Sequence, residues 1–484
     1  MIQISSTFFS RCKYVLAAIA IVFATNTVIA QSKTIAQYTA EAPFKMPTVP
    51  LPSFASKTFT ITDYGAVADG KTLNTEAFAK AITACNAAGG GVVNIPAGTW
   101  LTGPIELKSN VNLHADKDAV VQFTADHNLY PMIKAGPGSS KLVPASPIYG
   151  YALNNIAITG SGTFDGAGDS WRPVKKSKVS LTVWNNLITG GGALSTDGKV
   201  YWPDRNMMTN DIRPYMLYLV GCTNILVENV TLRNSPKFVF YPSKCTNLSI
   251  IGANIYNDWW AQNGDGIDIS ASKNVVIYKT IVSCGDDGIC MKSSGTPDAK
   301  DSANLSNVLI AECTVYRAHG GFVIGSNTDG GMKNIYVTKC NFIGSDIGVR
   351  IKSNSGRGGW VRDVFVKDIY MKSIVNEAIL FDTYYDDVPA GKKAGETATA
   401  NDKVPDFRNI YLSNITCDGA TTAISITGLP NMPVKDIYFE NMTLTAKKGF
   451  VSKDAENIYL KHVTINASKP IYDTNGCKNI SVVE

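Results

Sequence analysis

Two short stretches, NGDGIDI from Asn263 and CGDDGICM from Cys284, place three aspartates among glycines just ahead of apolar, strand-like runs. Crowded or buried carboxylates are costly unless something uses them. Asp265, Asp286 and Asp287 are followed by His319 and then by Arg350 and Lys352, two residues apart. Carboxyls that repel raise one another's proton affinity, so one can stay protonated near neutral pH while another is ionised. That division suits hydrolysis of a glycosidic bond with inversion, which needs an acid on the leaving oxygen and a base beside a water. Asp286, near His319, is the sensible acid, with Asp265 and Asp287 holding the water. Arg350 and Lys352 add fixed positive charge, for which an acidic sugar is the natural partner. Each piece alone has a plainer explanation. Aspartate beside glycine is commonly turn chemistry, His319 reads equally well as a coil residue, and Asp268 as a solvated strand residue. Trp259 and Trp260 suit packing as well as sugar stacking, and Tyr384 and Tyr385 end a strand where substrate could pass. The chemistry exists only if the fold brings the set together.

One unit recurs along the chain: Asn or Asp, an aliphatic residue, a variable residue, an aliphatic residue, then a second alternating strand. It reads NILVENVTL at Asn224, NLSIIGANI at Asn247, NVVIYKTIV at Asn274, NVLIAECTV at Asn307, NIYVTKCNF at Asn334 and DVFVKDIYM at Asp363. Further copies begin at Asn409, Asp436, Asn457 and Asn479. Their spacing and β-branched alternation, with no helices between them, point to a solenoid of strands. The predicted fold is all-β: a right-handed parallel β-helix whose coils bury themselves only by stacking on their neighbours. A short helix over Asn74 to Gly89 would cap its first coil. The leading Asn can bond its counterpart one coil away, forming a ladder. A propeller would need hairpin turns between copies, and none is evident.

Aligned on Gly266, Gly288, Gly321 and Gly348, four successive coils put Asp265 and Asp287 in one slot and Asp286 and His319 in the next. Asp268, Cys290, Val323 and Arg350 then share an outward slot, with Lys352 two residues beyond Arg350. Neighbouring residues on a straight strand face opposite ways, so Asp286 and Asp287 serve one cleft only if the chain bends at Gly285 or Gly288.

Arg11 and Lys13 ahead of the apolar run from Val15 to Ala24, with Val28-Ile29-Ala30 as a cleavage site, read as an export signal over residues 1–30. Residues 31–56 read as an extended lead-in, and 57–484 as one β-helix domain with insertions at about 166–214 and 386–405. The net charge of +5 includes Arg11 and Lys13, and no polybasic run points to nucleic acid or a membrane surface. No later segment predicts a membrane span. The expected product is a monomer, exported to the periplasm or the medium. Nine cysteines follow Cys12 without paired spacing and read as small buried hydrophobes.

The four motifs Asn263-Gly264-Asp265-Gly266, Gly285-Asp286-Asp287, Ala318-His319-Gly320 and Arg350-Ile351-Lys352 resemble, in order and spacing, those of glycoside hydrolase family 28. That family comprises the polygalacturonases and their pectin-degrading relatives, and bacterial exo-acting members are the nearest likeness. DYGAVADGKTLNTEAF from Asp63 resembles the capping start of pectin-active β-helices. Ala318 stands where the family usually has glycine. The resemblance implies single-displacement hydrolysis with inversion, without cofactor or metal, on a pectic polysaccharide or oligosaccharide. It makes Asp286 the general acid, has Asp265 and Asp287 activate water, and has His319 support the acid. Arg350 and Lys352, with Asn263 from the same motifs, would bind substrate. Exo action is favoured, because two long insertions could wall off one end of a groove. Two other readings remain open. One is a pectate-lyase-like β-eliminase with Ca²⁺ on the aspartates and Arg350 as base. The other is a non-catalytic carbohydrate-binding solenoid.

Overall fold

Each repeat supplies three short strands. The coil around the first aspartate runs Ile267–Ser270, Lys273–Tyr278 and Ile281–Ser283, and the next coil begins at Asp287–Lys292. Near the start of each middle strand one residue sits in the left-handed region, among them Asn247 (φ 58°), Asn274 (φ 58°), Asn307 (φ 58°) and Asn334 (φ 57°). Asparagine tolerates that region better than most residues, which gives the repeat's leading Asn a conformational reason. Its side chain gives a second. Asn247, Asn274, Asn307 and Asn334 each donate from Nδ2 to the Oδ1 of the preceding coil's Asn at 3.0 Å. The predicted ladder is present.

A computed structural model describes residues 32–297, 299, 302–385 and 403–484 of the chain. Ile35–Glu484 form one unit. Its equivalent strands pair in parallel from coil to coil, so three continuous sheets wrap one apolar core. The fold is the right-handed parallel β-helix expected. Inward residues such as Ile267, Ile269, Ile289, Phe322 and Val349 are buried throughout. The helix Thr75–Ala87 closes the first coil by turning Phe78, Ala81, Ile82 and Cys85 into that core. The nine cysteines from Cys85 to Cys477 are all unpaired, and eight are buried. Among the described residues no helix is long and apolar enough to cross a membrane.

Two segments depart from simple expectation. The lead-in is not extended throughout, because Ile35–Glu41 is helical. The helix turns Tyr38 into an apolar patch on the outside of the middle sheet, made by Val276, Leu309, Ala311 and Tyr336. Its hydroxyl donates to Glu312 at 2.7 Å. The insertion at 166–214 folds on itself: Val174–Lys175, Ala193–Leu194 and Val200–Trp202 make a small antiparallel sheet. The helix Leu181–Thr189 packs Trp184 against Val174 and Tyr201. The export-signal reading and most of the second insertion, 386–402, lie outside the described residues.

Replacing Asn307 tests the ladder. Asn307→Ala loses bonds to both neighbours and puts alanine at positive φ, at a cost of about 1–3 kcal/mol, read as a lower denaturant midpoint. Asn307→Gly keeps the backbone and loses only the ladder share. A midpoint unmoved in the alanine variant contradicts this reading.

Candidate functional site

The predicted register is the observed one. Asp268 pairs with Cys290, Cys290 with Val323, and Val323 with Arg350. The connecting loops stack as well: Gly266 N–H donates to Asp287 O at 2.9 Å, and His319 N–H to Asp286 O at 2.8 Å. One oxygen from each of Asp265, Asp286 and Asp287 lies within 4.8 Å of the other two. The bend that this convergence needs falls at Gly285. A Cβ there would sit 2.5 Å from Asp258 O and 2.6 Å from Ala261 O, so only glycine fits.

The three carboxyls occupy different surroundings. Asp286 is the open one, and His319 Nδ1 lies 3.0 Å from its Oδ1. His319 Nε2 in turn lies 3.8 Å from Asp346. Asp287 is 2 % exposed. Lys352 Nζ donates to its Oδ2 at 2.8 Å, and Arg350 Nη1 lies 3.6 Å from its Oδ1. Burial favours its neutral form, but Lys352, Lys292 and Arg350 outweigh burial and hold it well below the usual carboxylate range. Asp265 is 3 % exposed, and burial, Asp268 and Asp286 push it well above that range. The Oδ1 atoms of Asp265 and Asp287 and the Nε of Arg350 are buried with no hydrogen-bond partner in the protein. Buried polar atoms are rarely left so outside a site that receives something.

Sequence reasoning missed the residue beneath this cluster, Lys292. Its Nζ lies 2.9 Å from Asp268 and 3.8 Å from Asp265. Burial works against its charge, and Asp268, Cys290 and Asp265 more than restore it. Asp268 is not solvated but fully buried, pushed up to about 6 by burial against the pull of Lys292. The signal was available. Lys292 follows the shared slot by two residues on its strand, as Lys352 does on its own.

The remaining candidates divide. Tyr385 belongs to the site, with Lys352 4.7 Å and Arg350 5.4 Å over its ring. Trp259 is 43 % exposed at the rim of a cavity of about 320 Å³ that also touches Lys178, Arg317, His319 and Asp346. Trp260 instead packs beside Trp184 and the insertion. Asn263 is exposed at φ 51°, and its Oδ1 accepts from Arg213 Nη2 at 3.0 Å. Its oxygen is therefore tied to the insertion rather than to the carboxyls.

The sequence profile described as glycosyl hydrolases family 28 matches residues 174–467, a span that holds every one of these site residues. The chain belongs to glycoside hydrolase family 28. It is thus a glycoside hydrolase. A second profile, described as rhamnogalacturonase A/epimerase, pectate lyase-like, matches residues 58–137 around the capping helix. An exo-poly-alpha-D-galacturonosidase of Dickeya chrysanthemi is 26% identical over 438 residues, 85% of this chain and 71% of the relative. An endo-polygalacturonase of Pectobacterium parmentieri is 27% identical over 383 residues, 77% of this chain and 84% of the relative. Among solved structures, a hyperthermoactive exopolygalacturonase from Thermotoga maritima is similar with a TM-score of 0.72 at 27% identity. That likeness covers 86% of this chain and 94% of the other.

Lys292→Met leaves Asp268 buried without its cation, a change worth about 3–5 kcal/mol of stability. Adding Asp268→Leu to that variant recovers most of the loss, because an apolar pair of similar volume replaces the ion pair. Urea titration of the two proteins separates the cases, and equal midpoints for Lys292→Met and wild type contradict the pairing.

Proposed function

We propose that this glycoside hydrolase cuts galacturonate-containing pectic polymers or oligomers by acid/base hydrolysis with inversion, attacking from a chain end. The observation that carries the chemistry is the opposite electrostatic surroundings of two buried carboxyls, Asp265 and Asp287, close beside the more open Asp286. Asp286, the most exposed of the three and bonded to His319, is the general acid. Asp287, ionised by Lys352 and Arg350, works with Asp265 to hold and deprotonate the water. Their unpartnered Oδ1 atoms are the natural anchors for it. Arg350 and Lys352, beside Tyr385, draw the carboxylate of an acidic sugar. His319 positions Asp286, and Asn263 shapes the approach through Arg213.

Inverting pairs usually stand about 6.5–9.5 Å apart, farther than the 4.8 Å within which these oxygens lie. Separation alone would suggest retention. Retention, however, needs a carboxylate free to attack carbon. Asp287 is pinned by two cations and burial disfavours the anion of Asp265, so each is a poor nucleophile.

Exo action rests on a wall that the sequence did not suggest. The hairpin Met132–Lys134 with Leu142–Pro144 crosses the outward face of the site-bearing sheet, where Tyr218 hydroxyl donates to Ala135 O at 3.0 Å. The insertion at 166–214 adds Lys178 beside Trp259. Residues 1–30 act as the export signal and leave a mature enzyme outside the cytoplasm, working as a monomer without cofactor.

Asp286→Asn lowers turnover on polygalacturonate by about 10²–10⁴-fold with folding intact. Proton NMR of the wild-type reaction shows a first-formed reducing end of opposite configuration to the bond cut. Monomer or dimer is released from the start. A first-formed end of unchanged configuration contradicts inversion, and an early ladder of mid-length oligomers contradicts exo attack.

A further inference from the structure

Toward the N-terminal coils, the outward column of the site-bearing sheet turns aromatic. Tyr149 pairs with Tyr218 and Tyr218 with Tyr241. Phe240 pairs with Ile267, which puts Tyr241 in the column of Asp268. The Tyr218 and Tyr241 rings stack 5.6 Å apart at 6°, and Tyr215 closes on Tyr241 at 4.5 Å. The aromatic floor reaches the carboxyl cluster directly, since Lys292 Nζ sits 5.5 Å over the ring of Phe238 and Phe238 lies 5.6 Å from Tyr241.

Under the crossing hairpin this floor ends in a partly enclosed cavity of about 210 Å³. Tyr215 and Tyr218 line it together with Lys141, Lys237, Arg213 and Asp211. Asp211 is the one carboxylate among these, and Arg213 and Lys237 hold it ionised against burial, with Arg213 Nε at 2.6 Å and Lys237 Nζ at 3.2 Å. Three cations against one carboxylate leave a positive surplus beside tyrosine faces. A pyranose ring offers apolar C–H groups to stack on tyrosine, and a uronate adds the carboxylate that a lysine ammonium can hold.

We propose that this pocket is a binding subsite for the terminal uronate of the substrate chain, separate from the cations at Arg350 and Lys352. The inference rests on the hydrolase reading above for its ligand. Beyond closing one end of the groove, the wall then favours a chain end that carries a free carboxylate. Lys141 and Lys237 are specificity-determining residues, and they act on binding rather than on bond cleavage.

The test compares wild type with the double variant Lys141→Met/Lys237→Met on trigalacturonate and on its methyl-esterified form. In the double variant KM for trigalacturonate rises about tenfold with kcat within twofold, the pattern of lost uniform binding. On the esterified trimer the two proteins share one KM. The conservative Lys141→Arg/Lys237→Arg restores tight binding. A KM on trigalacturonate within twofold of wild type overturns the proposal, as does an equal rise on the ester. Titration calorimetry with the same trimer, on the Asp286→Asn protein with and without the lysine changes, gives Kd without turnover. A wild type that binds the trimer but does not cut it overturns the hydrolase reading, while an unchanged Kd on loss of the lysines overturns the pocket.

Discussion

A carboxylate as buried as Asp287 stays ionised only while a cation stays beside it. Here the cation is Lys352, which reaches its Oδ2 at 2.8 Å from a strand two coils away. Lys292 on its own strand adds charge, but the direct contact comes from that distant coil. It depends on coil spacing of roughly 4.8 Å and on a register in which a slip of one residue would turn Lys352 to the opposite face. The Asn ladder, the alternating inward residues and the close approach at Gly285 all serve to keep that register.

The same device sorts the cluster into unlike members. Four carboxyls, Asp265, Asp268, Asp286 and Asp287, share three cations, Lys292, Arg350 and Lys352. Lys352 and Arg350 direct their charge at Asp287, and Lys292 directs most of its charge at Asp268. Burial favours the protonated form of Asp265, and Asp286, more exposed than the others, bonds to His319. Of the two carboxyls that share one slot, Asp287 is thus held as the anion while burial favours the protonated form of Asp265, so the water they hold meets one acceptor and one potential donor. The spacing of Asp265, Asp286 and Asp287 also matches a cation site. Cations already beside Asp287 make a divalent ion a costly addition there.

Much of this was legible in the chain. Repeats headed by Asn gave the solenoid, and aligning four glycines gave the register that brings Asp265, Asp286, Asp287, His319, Arg350 and Lys352 together. A two-residue offset already visible at Arg350 and Lys352 would have found Lys292, had the same step been taken from Cys290. Asp268 was misplaced because an outward strand position is ordinarily wet, whereas this one is fully buried beside Lys292. The helix at Ile35–Glu41 was missed because it gains its stability from an apolar patch on a distant coil rather than from its own sequence. The hairpin over Tyr218 carries no repeat signal at all, and its effect on the groove exists only in three dimensions.

Whether charge-sorted carboxyls or a bound cation does the chemistry is decided by one experiment on polygalacturonate. Reducing ends and ultraviolet absorbance of unsaturated ends are followed together, with and without a strong chelator. Charge-sorted carboxyls predict steady release of reducing ends, no unsaturated product and no loss of rate in chelator. Unsaturated ends that appear with the cuts, and vanish when chelator is added, would contradict them.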